Sequence, residues 1–452
     1  MEPKFLELKT RLAEMHDLNK TAALLSWDQQ THMPPKGSAV RAEQRSTLSR
    51  LIHDKSTSDE LGRLLDDLRP YEESLPYDSD EASLIRVARS DYEKARRVPT
   101  DLQAEMTRAR ALAMDVWVEA RKKSDYALFL PHLEKIIELK HRYVECFAPF
   151  EDTYDPLLDD FERGMKTAQV KAVFDDLKHD LVPLIAAIAE RADAVSEACL
   201  HGHFPAEKQR ECVSGIVSRF GFNPDSWRLD PTTHPFATSM ATTDIRITTR
   251  YNESFVNAAL FGTLHECGHG LYENGVSPSL ERTPFYRAIN KVQPSFIRVE
   301  ADEATYNLHI ILRFELEQEM MQGKLALRGA PEAWNARMKQ YLGVDVLDDA
   351  RGVLQDVHWS DGLLGYFPTY SLGNIIAAQI WEKALEALPN LYEQFERGEF
   401  TALREWLRQN LHRHGRKFTP VETLERVVGG PIKVGPYVRY LQSKLGEIYG
   451  IK

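Results

Sequence analysis

A chain of 452 residues, 43% apolar and 28% charged, is long enough for one large domain or two to three ordinary ones with a sizeable core. Its 57 basic and 68 acidic side chains leave a formal charge of −11, and no basic stripe or tail stands out, which argues against a nucleic-acid surface. Apolar runs such as 258–261 are far too short to span a bilayer, and the charged opening residues lack the apolar centre of a secretory signal, so no membrane partner is expected. Cys146, Cys199, Cys212 and Cys267 form neither a CxxC pair nor a disulfide framework, which suits a cytoplasmic setting.

Most of the chain reads as helix. Residues 4–28 carry Phe5, Leu6, Leu8, Leu12, Met15, Leu18, Ala22 and Leu25 close to a 3.6-residue period. The run 131–147 repeats it with Leu133, Ile136, Ile137, Leu139 and Tyr143 as the buried stripe. Further helices are predicted at 168–198, 205–219, 299–321, 373–388 and 391–410, with Pro and Gly mostly between them. Segments 54–80 and 153–167 are polar and acidic and read as surface connections. No repeat or Ser/Gly linker interrupts the chain, so a mainly α fold is expected, as one domain over 1–452 with a helical lobe at about 1–220 and an active-site lobe at about 221–452.

The stretch 227–251 differs, being rich in Thr and broken by Pro231 and Pro235. Within it 244–251 alternates with period two: Ile245, Ile247, Thr249 and Tyr251 point one way, Asp244, Arg246, Thr248 and Arg250 the other. A strand with such a polar face is by default a solvated edge; the functional alternative is a polar strand lining a cleft.

A helix follows, with Asn252 as its expected N-cap, and carries His265-Glu-Cys-Gly-His269. Histidines four apart stack on one helical face, so two imidazole nitrogens can converge on one Zn²⁺. Glu266, one residue along, is turned off the ligand axis, where a carboxylate can take a proton from water. Gly268 and Gly270 weaken the helix and suit a close approach to its backbone. The bland alternative is a pair of packed histidines. A catalytic zinc takes three protein ligands, so the motif alone is not a complete site.

Further strings fall in a definite order: His234-Pro-Phe, Asp244-Ile-Arg-Ile-Thr248, the HExxH, Ile297-Arg-Val-Glu-Ala-Asp302, Gly352-Val-Leu-Gln-Asp-Val-His-Trp359 and Gly365-Tyr-Phe-Pro-Thr-Tyr370. Together they resemble the carboxypeptidase Taq family of metallocarboxypeptidases, over nearly the whole chain. The resemblance implies a helical saddle with a deep central groove and a small sheet or hairpin beside the HExxH helix. It also implies one Zn²⁺ or Co²⁺ per chain, a homodimer, and release of single residues from peptide carboxyl ends, terminal proline excepted.

Binding a free carboxylate calls for an arginine fork, for which Arg246 and Arg298 are the candidates, with Asp244, Thr248 and His358 as further substrate contacts. Either arginine could instead be a structural partner of Asp244 or Asp302. Tyr366 or Tyr370 could donate to an oxyanion, or simply pack a groove wall. The chain departs from the family at one place. The family's short motif carrying a glutamate as third metal ligand is missing, and matching sequence resumes across a junction near Phe285–Tyr286. The candidate substitutes are Glu273, four residues past His269 on the same helical face, and Glu300, Asp302 and Glu303 on the following helix. The alternative to an active enzyme is a relative that keeps the groove without a complete metal site.

Overall fold

Apolar side chains recurring every third or fourth residue fold most of this chain into helices, and one short sheet takes the period-two stretch. The structure is a computed structural model and describes residues 2–232, 235–274 and 290–451. The chain divides into two units, neither contiguous in sequence. The first comprises Met1–Arg96, Glu197–Ile289 and Ala384–Phe418; the second Arg97–Ser196, Asn290–Lys383 and Thr419–Lys452.

The predicted helices form at Glu2–Thr31, Tyr126–Glu145, Thr167–Ala189, Ala206–Phe220, Thr305–Met321 and Pro368–Ala387, the one expected to reach residue 198 ending nine residues earlier. The stretch 391–410 is two helices, Leu391–Glu396 and Thr401–Asn410, because Gly398 between them takes a positive φ of 72°. The helix expected from residue 299 starts six residues later. Asp302 turns the chain at that end by accepting from the backbone N–H groups of Ala304 and Thr305 at 2.9 and 3.0 Å.

The two acidic segments read as surface connections are structural instead. Ser58 caps the helix Asp59–Ser74, which buries Leu61, Leu64, Leu65 and Leu68 against Leu8 and Ile85 of the first unit. In the second unit Tyr154, Leu157 and Leu158 are fully buried, and Asp155 accepts from the N–H and hydroxyl of Thr167 at 2.8 and 2.7 Å. Their acidic residues sit at caps and on outer helix faces, a use that composition alone does not separate from a linker.

In the first unit the sheet has the order β1-β3-β2. Strand β1, Trp227–Pro231, runs parallel to β3, Asp244–Thr249, with Trp227 opposite Ile245; β2, Ala237–Ala241, runs antiparallel to β3. The expected edge strand is therefore the central one. Its polar face is covered by the amino-terminal helix: Arg246 lies 4.3 Å over the Trp27 ring, and Lys20 donates to the Ser239 carbonyl at 2.8 Å. Its other face, through Ile245 and Ile247, packs with Cys267 and Leu271.

In the second unit Phe161 sets its ring edge-on to Tyr366, with centroids 5.0 Å apart, and the half-buried Glu162 follows it. Burial alone pushes the Glu162 carboxyl up to about 7 from an ordinary value of 4.5. The folded state thus holds this proton more tightly than the unfolded chain, so the group's contribution to stability is complete below pH 4.5 and lost as pH rises through 7. Glu162→Gln should therefore match the wild type at pH 4 and exceed its stability at pH 8 by about 1–2 kcal/mol, in urea titrations at the two pH values.

Candidate active site

The HExxH helix is held to the sheet by contacts that leave its histidines outward. It runs Asn257–Asn274, later than an Asn252 cap would start it. Asn252 instead closes a local turn, its Oδ1 accepting from the N–H and hydroxyl of Ser254 at 3.0 and 2.8 Å. Thr263 donates to the Ala259 carbonyl at 2.6 Å and lies 2.7 Å from the Thr249 hydroxyl, tying the helix to β3. A Cβ on Gly270 would stand 2.3 Å from the Trp227 ring and 3.1 Å from Ile245, so only glycine lets the helix lie this close to the sheet. Gly268, on the outer side, would meet nothing within 4 Å.

The two imidazoles converge. His265 and His269 are both exposed, with Nε2 atoms 3.2 Å apart and ring centroids 4.8 Å apart. Two nitrogens bound to one tetrahedral zinc at about 2.0–2.1 Å stand roughly 3.3 Å from each other, so the pair fits a shared cation. Partial burial and the neighbouring His269 push His265 below its ordinary value, which favours the neutral ring a metal requires. Glu266 is 6% exposed, and burial pushes its carboxyl up to about 7. A carboxyl in that range both accepts and returns a proton near neutral pH. Among the described residues no group of three His, Cys, Asp or Glu side chains is placed to hold a metal ion.

On β3, Arg246 donates from Nε and Nη2 to the two oxygens of Asp244 at 2.9 and 3.0 Å, and this pairing holds Asp244 below its ordinary value. The Thr248 hydroxyl is fully buried, donating to the Phe236 carbonyl at 2.8 Å and accepting from the Phe236 N–H at 2.7 Å. It pins the strand. His234 lies outside the described residues.

The other expected site residues belong to the second unit. Arg298 occupies a short turn, Arg298–Glu300, and pairs with Asp356 rather than Asp302: Nε and Nη2 reach Asp356 Oδ1 at 3.1 and 2.9 Å. Its Nη1 donates to the Tyr306 hydroxyl at 2.8 Å, and the guanidinium lies 5.1 Å from the Tyr370 ring centre. Arg313, with no exposed surface, reaches the other oxygen of Asp356 from Nε at 2.6 Å. Burial alone would raise Asp356, but Arg313 and Arg298 beside it hold it well below the usual carboxylate range. His358 stacks on Tyr366, with centroids 5.6 Å apart at 27°, and Tyr366 meets Tyr370 edge-on at 5.3 Å. Burial raises the Tyr370 phenol, keeping it protonated and able to donate.

The reserve carboxylates differ in what already binds them. Both oxygens of Asp302 are used locally, Oδ2 accepting from Gln293 N–H and the Thr305 hydroxyl at 2.9 and 2.7 Å. Glu303 pairs with Lys444 at 2.6 Å, whereas Glu300 is exposed in its turn. Arg313, Tyr306 and Glu317 were missed from sequence, although one signal was present. His309, Arg313 and Glu317 stand four apart on one face of the helix Thr305–Met321, among apolar neighbours such as Leu308, Ile310, Leu312, Phe314 and Leu316, and all three are fully buried. A cavity of about 500 Å³ beside Ile297 is rimmed by Trp117, Arg121, Lys122 and Arg351.

The family profile described as Carboxypeptidase Taq (M32) metallopeptidase matches residues 7–285 and 276–445. The chain belongs to that family. It is thereby a metallocarboxypeptidase, a peptide hydrolase whose family works with a divalent metal. It is 37% identical to the thermostable carboxypeptidase 1 of Thermus thermophilus, over 96% of each chain. It is 34% identical to carboxypeptidase 1 of Bacillus subtilis, over 99% of this chain and 98% of that one. Among solved structures, an M32 carboxypeptidase from Deinococcus radiodurans superposes with a TM-score of 0.94 at 36% identity, over 99% of this chain and all of that one. The expected mainly α fold with a small sheet beside the HExxH helix is thus borne out.

The two profile matches meet at 276–285, beside the junction near Phe285–Tyr286, which lies outside the described residues. The Thermus alignment runs over 491 positions while taking in 96% of 452 residues, about 434, so roughly 57 aligned positions have no counterpart here. Among the described residues no helix is long and apolar enough to cross a membrane.

The packing at the HExxH helix gives a paired expectation. Gly270→Ala should destabilise the protein by roughly 1–3 kcal/mol, since the added methyl must push the helix off Trp227. Gly268→Ala should be neutral or stabilise by up to about 1 kcal/mol, because the space there is open and alanine favours the helix. Urea unfolding of the two variants side by side measures both.

Proposed function

We propose that the protein releases single residues from the carboxyl ends of peptides, broadly but not at terminal proline, with His265 and His269 holding one Zn²⁺ or Co²⁺ per chain. The supporting observation is the pair of outward imidazoles 3.2 Å apart next to the buried Glu266. When bound, the ion supplies Lewis-acid polarisation of the scissile carbonyl and acidifies water. Glu266 takes the proton of the attacking water and passes it to the departing amine. Tyr366 or Tyr370 donates a hydrogen bond to the oxyanion that forms at the carbonyl.

An arginine receives the substrate's terminal carboxylate, and Arg246, with 17% of its side chain exposed against 6% for Arg298, is the better placed to meet it from solvent. Asp244 orients that guanidinium, and Thr248 and His358 belong to the substrate-contacting group in the same reading. For the third metal position, the bonds already made by Asp302 and Glu303 favour Glu300. The working form in this reading is a cytoplasmic homodimer acting on peptides, with no nucleic-acid partner.

A second reading has its own support. With roughly 57 aligned positions absent and no three-residue metal group among the described residues, the chain could keep the family fold yet hold metal too weakly for turnover. Metal content by mass spectrometry and amino-acid release from a synthetic peptide separate the two. The first reading expects about one metal per chain and measurable release. It also expects Glu266→Gln to lower turnover by about 10²–10⁴-fold with metal content unchanged. Unchanged turnover in that variant removes Glu266 as the base. A sample without metal, and inert when zinc or cobalt is supplied, favours the second reading.

A further inference from the structure

A carboxylate with no exposed surface lies one layer beneath the tyrosines of the second unit. Glu317 sits on the helix Thr305–Met321. Its Oε1 accepts from the Trp359 indole N–H at 2.8 Å. Its Oε2 accepts from the Gly365 N–H at 3.0 Å and from the Tyr154 hydroxyl at 2.5 Å. Trp359 follows His358 in the chain, and Gly365 precedes Tyr366. One carboxylate therefore grips both ends of the turn 359–365, and the residues just outside those ends are the rings that stack on each other at 5.6 Å.

The turn has little room to settle otherwise. Gly365 takes a positive φ of 93°, and a Cβ there would stand 2.3 Å from the Leu157 carbonyl oxygen. Backbone presses on backbone at that point, so the segment cannot retreat towards Leu157. Burying a carboxylate is unfavourable unless donors surround it. Burial lifts Glu317 to about 7, against the opposing pull of Gly365, Tyr154 and Trp359. An apolar side chain could fill the same volume without that cost, but only a carboxylate accepts from the indole and the amide at once through two oxygens. Glutamine offers a single acceptor oxygen and would turn an N–H group towards one of the donors.

We propose that Glu317 is a positioning residue for peptide hydrolysis, fixing Tyr366 against His358 by holding Trp359 and Gly365 together. The proposal rests on the reading of Tyr366, Tyr370 and His358 as the residues that meet substrate. Glu317 itself touches no substrate, having no exposed surface.

The test combines hydrogen exchange with kinetics on the full-length protein. In Glu317→Gln, amide exchange across 358–370 should rise about tenfold or more, while the helix Asn257–Asn274 keeps its protection. Glu315→Gln is the control, since Glu315 lies two residues away on the same helix but binds Lys178, Arg337 and Tyr341; it should leave exchange across 358–370 unchanged. In peptide hydrolysis Glu317→Gln should lower kcat by about 10–100-fold with KM within about twofold. Its effect and that of Tyr366→Phe should be less than additive.

Should Glu317→Gln not fold, single-donor variants decide. Trp359→Phe should raise exchange across 358–370, whereas Tyr154→Phe, which removes the donor that leads away from the turn, should leave it within about threefold. Unchanged exchange across 358–370 in Glu317→Gln, or a rise equal throughout the protein, overturns the positioning role whatever the turnover. The expected exchange together with a Tyr366→Phe variant of full activity leaves the positioning role standing and overturns the reading of Tyr366 alone.

Discussion

A guanidinium buried without exposed surface obliges a protein to bring it a carboxylate and further acceptors, and Arg313 sets that demand in the second unit. The segment around Gln355 and Asp356 meets it. Asp356 pairs with Arg313, Gln355 accepts from its Nη2 at 2.8 Å, and the His309 carbonyl accepts from Nη1 at 2.6 Å. The same two side chains also hold Arg298, Gln355 by its backbone N–H and Asp356 by its fork. One turn further along the helix, Glu317 extends the arrangement to Trp359 and Gly365. The positions of Arg298, His358 and Tyr366 thus follow from the buried face of a single helix. Two cations on one carboxylate leave an excess positive charge, which the faces of Tyr306, Tyr370 and Phe367 help to accommodate.

The first unit places its HExxH helix by close packing against the sheet. A missing side chain at Gly270 admits the Trp227 ring, and Cys267 and Leu271 pack the neighbouring positions against Ile245 and Ile247. With that face fixed, the four-residue spacing of His265 and His269 leaves them on the outer side with their Nε2 atoms at a cation's width. Shape, not electrostatics, aims the imidazoles. The Glu266 carboxyl, on the same helix, owes its raised proton affinity to burial.

Much of this was legible in the sequence because it depends on period and spacing. Helical stripes, the alternation at 244–249 and the HExxH spacing each act over a few residues, and the structure returns them. What was not legible depends on partners distant in sequence. The alternation of β3 is the same whether the strand lies at an edge or in the centre; the covering by Trp27 and Lys20, some 200 residues away, decides it. Arg298 has Asp302 close by in sequence, yet Asp302 is occupied at the head of a helix and Asp356 takes the pairing. Acidic composition at 54–80 and 153–167 conceals leucines at helical spacing and a fully buried tyrosine.

The threading of the chain through its two units has a consequence for how the protein is made. Each unit is assembled from three separate stretches, so the chain passes from one to the other five times. The first unit still awaits Ala384–Phe418, and the second awaits Thr419–Lys452. A ribosome that has delivered residues 1–383 has therefore completed neither. Vectorial maturation, in which an early domain closes before a later one emerges, is not open to this topology. Apolar faces of both units stay uncovered until the residues from Ala384 onward have emerged, so a delay in that stretch is what most exposes the protein to aggregation.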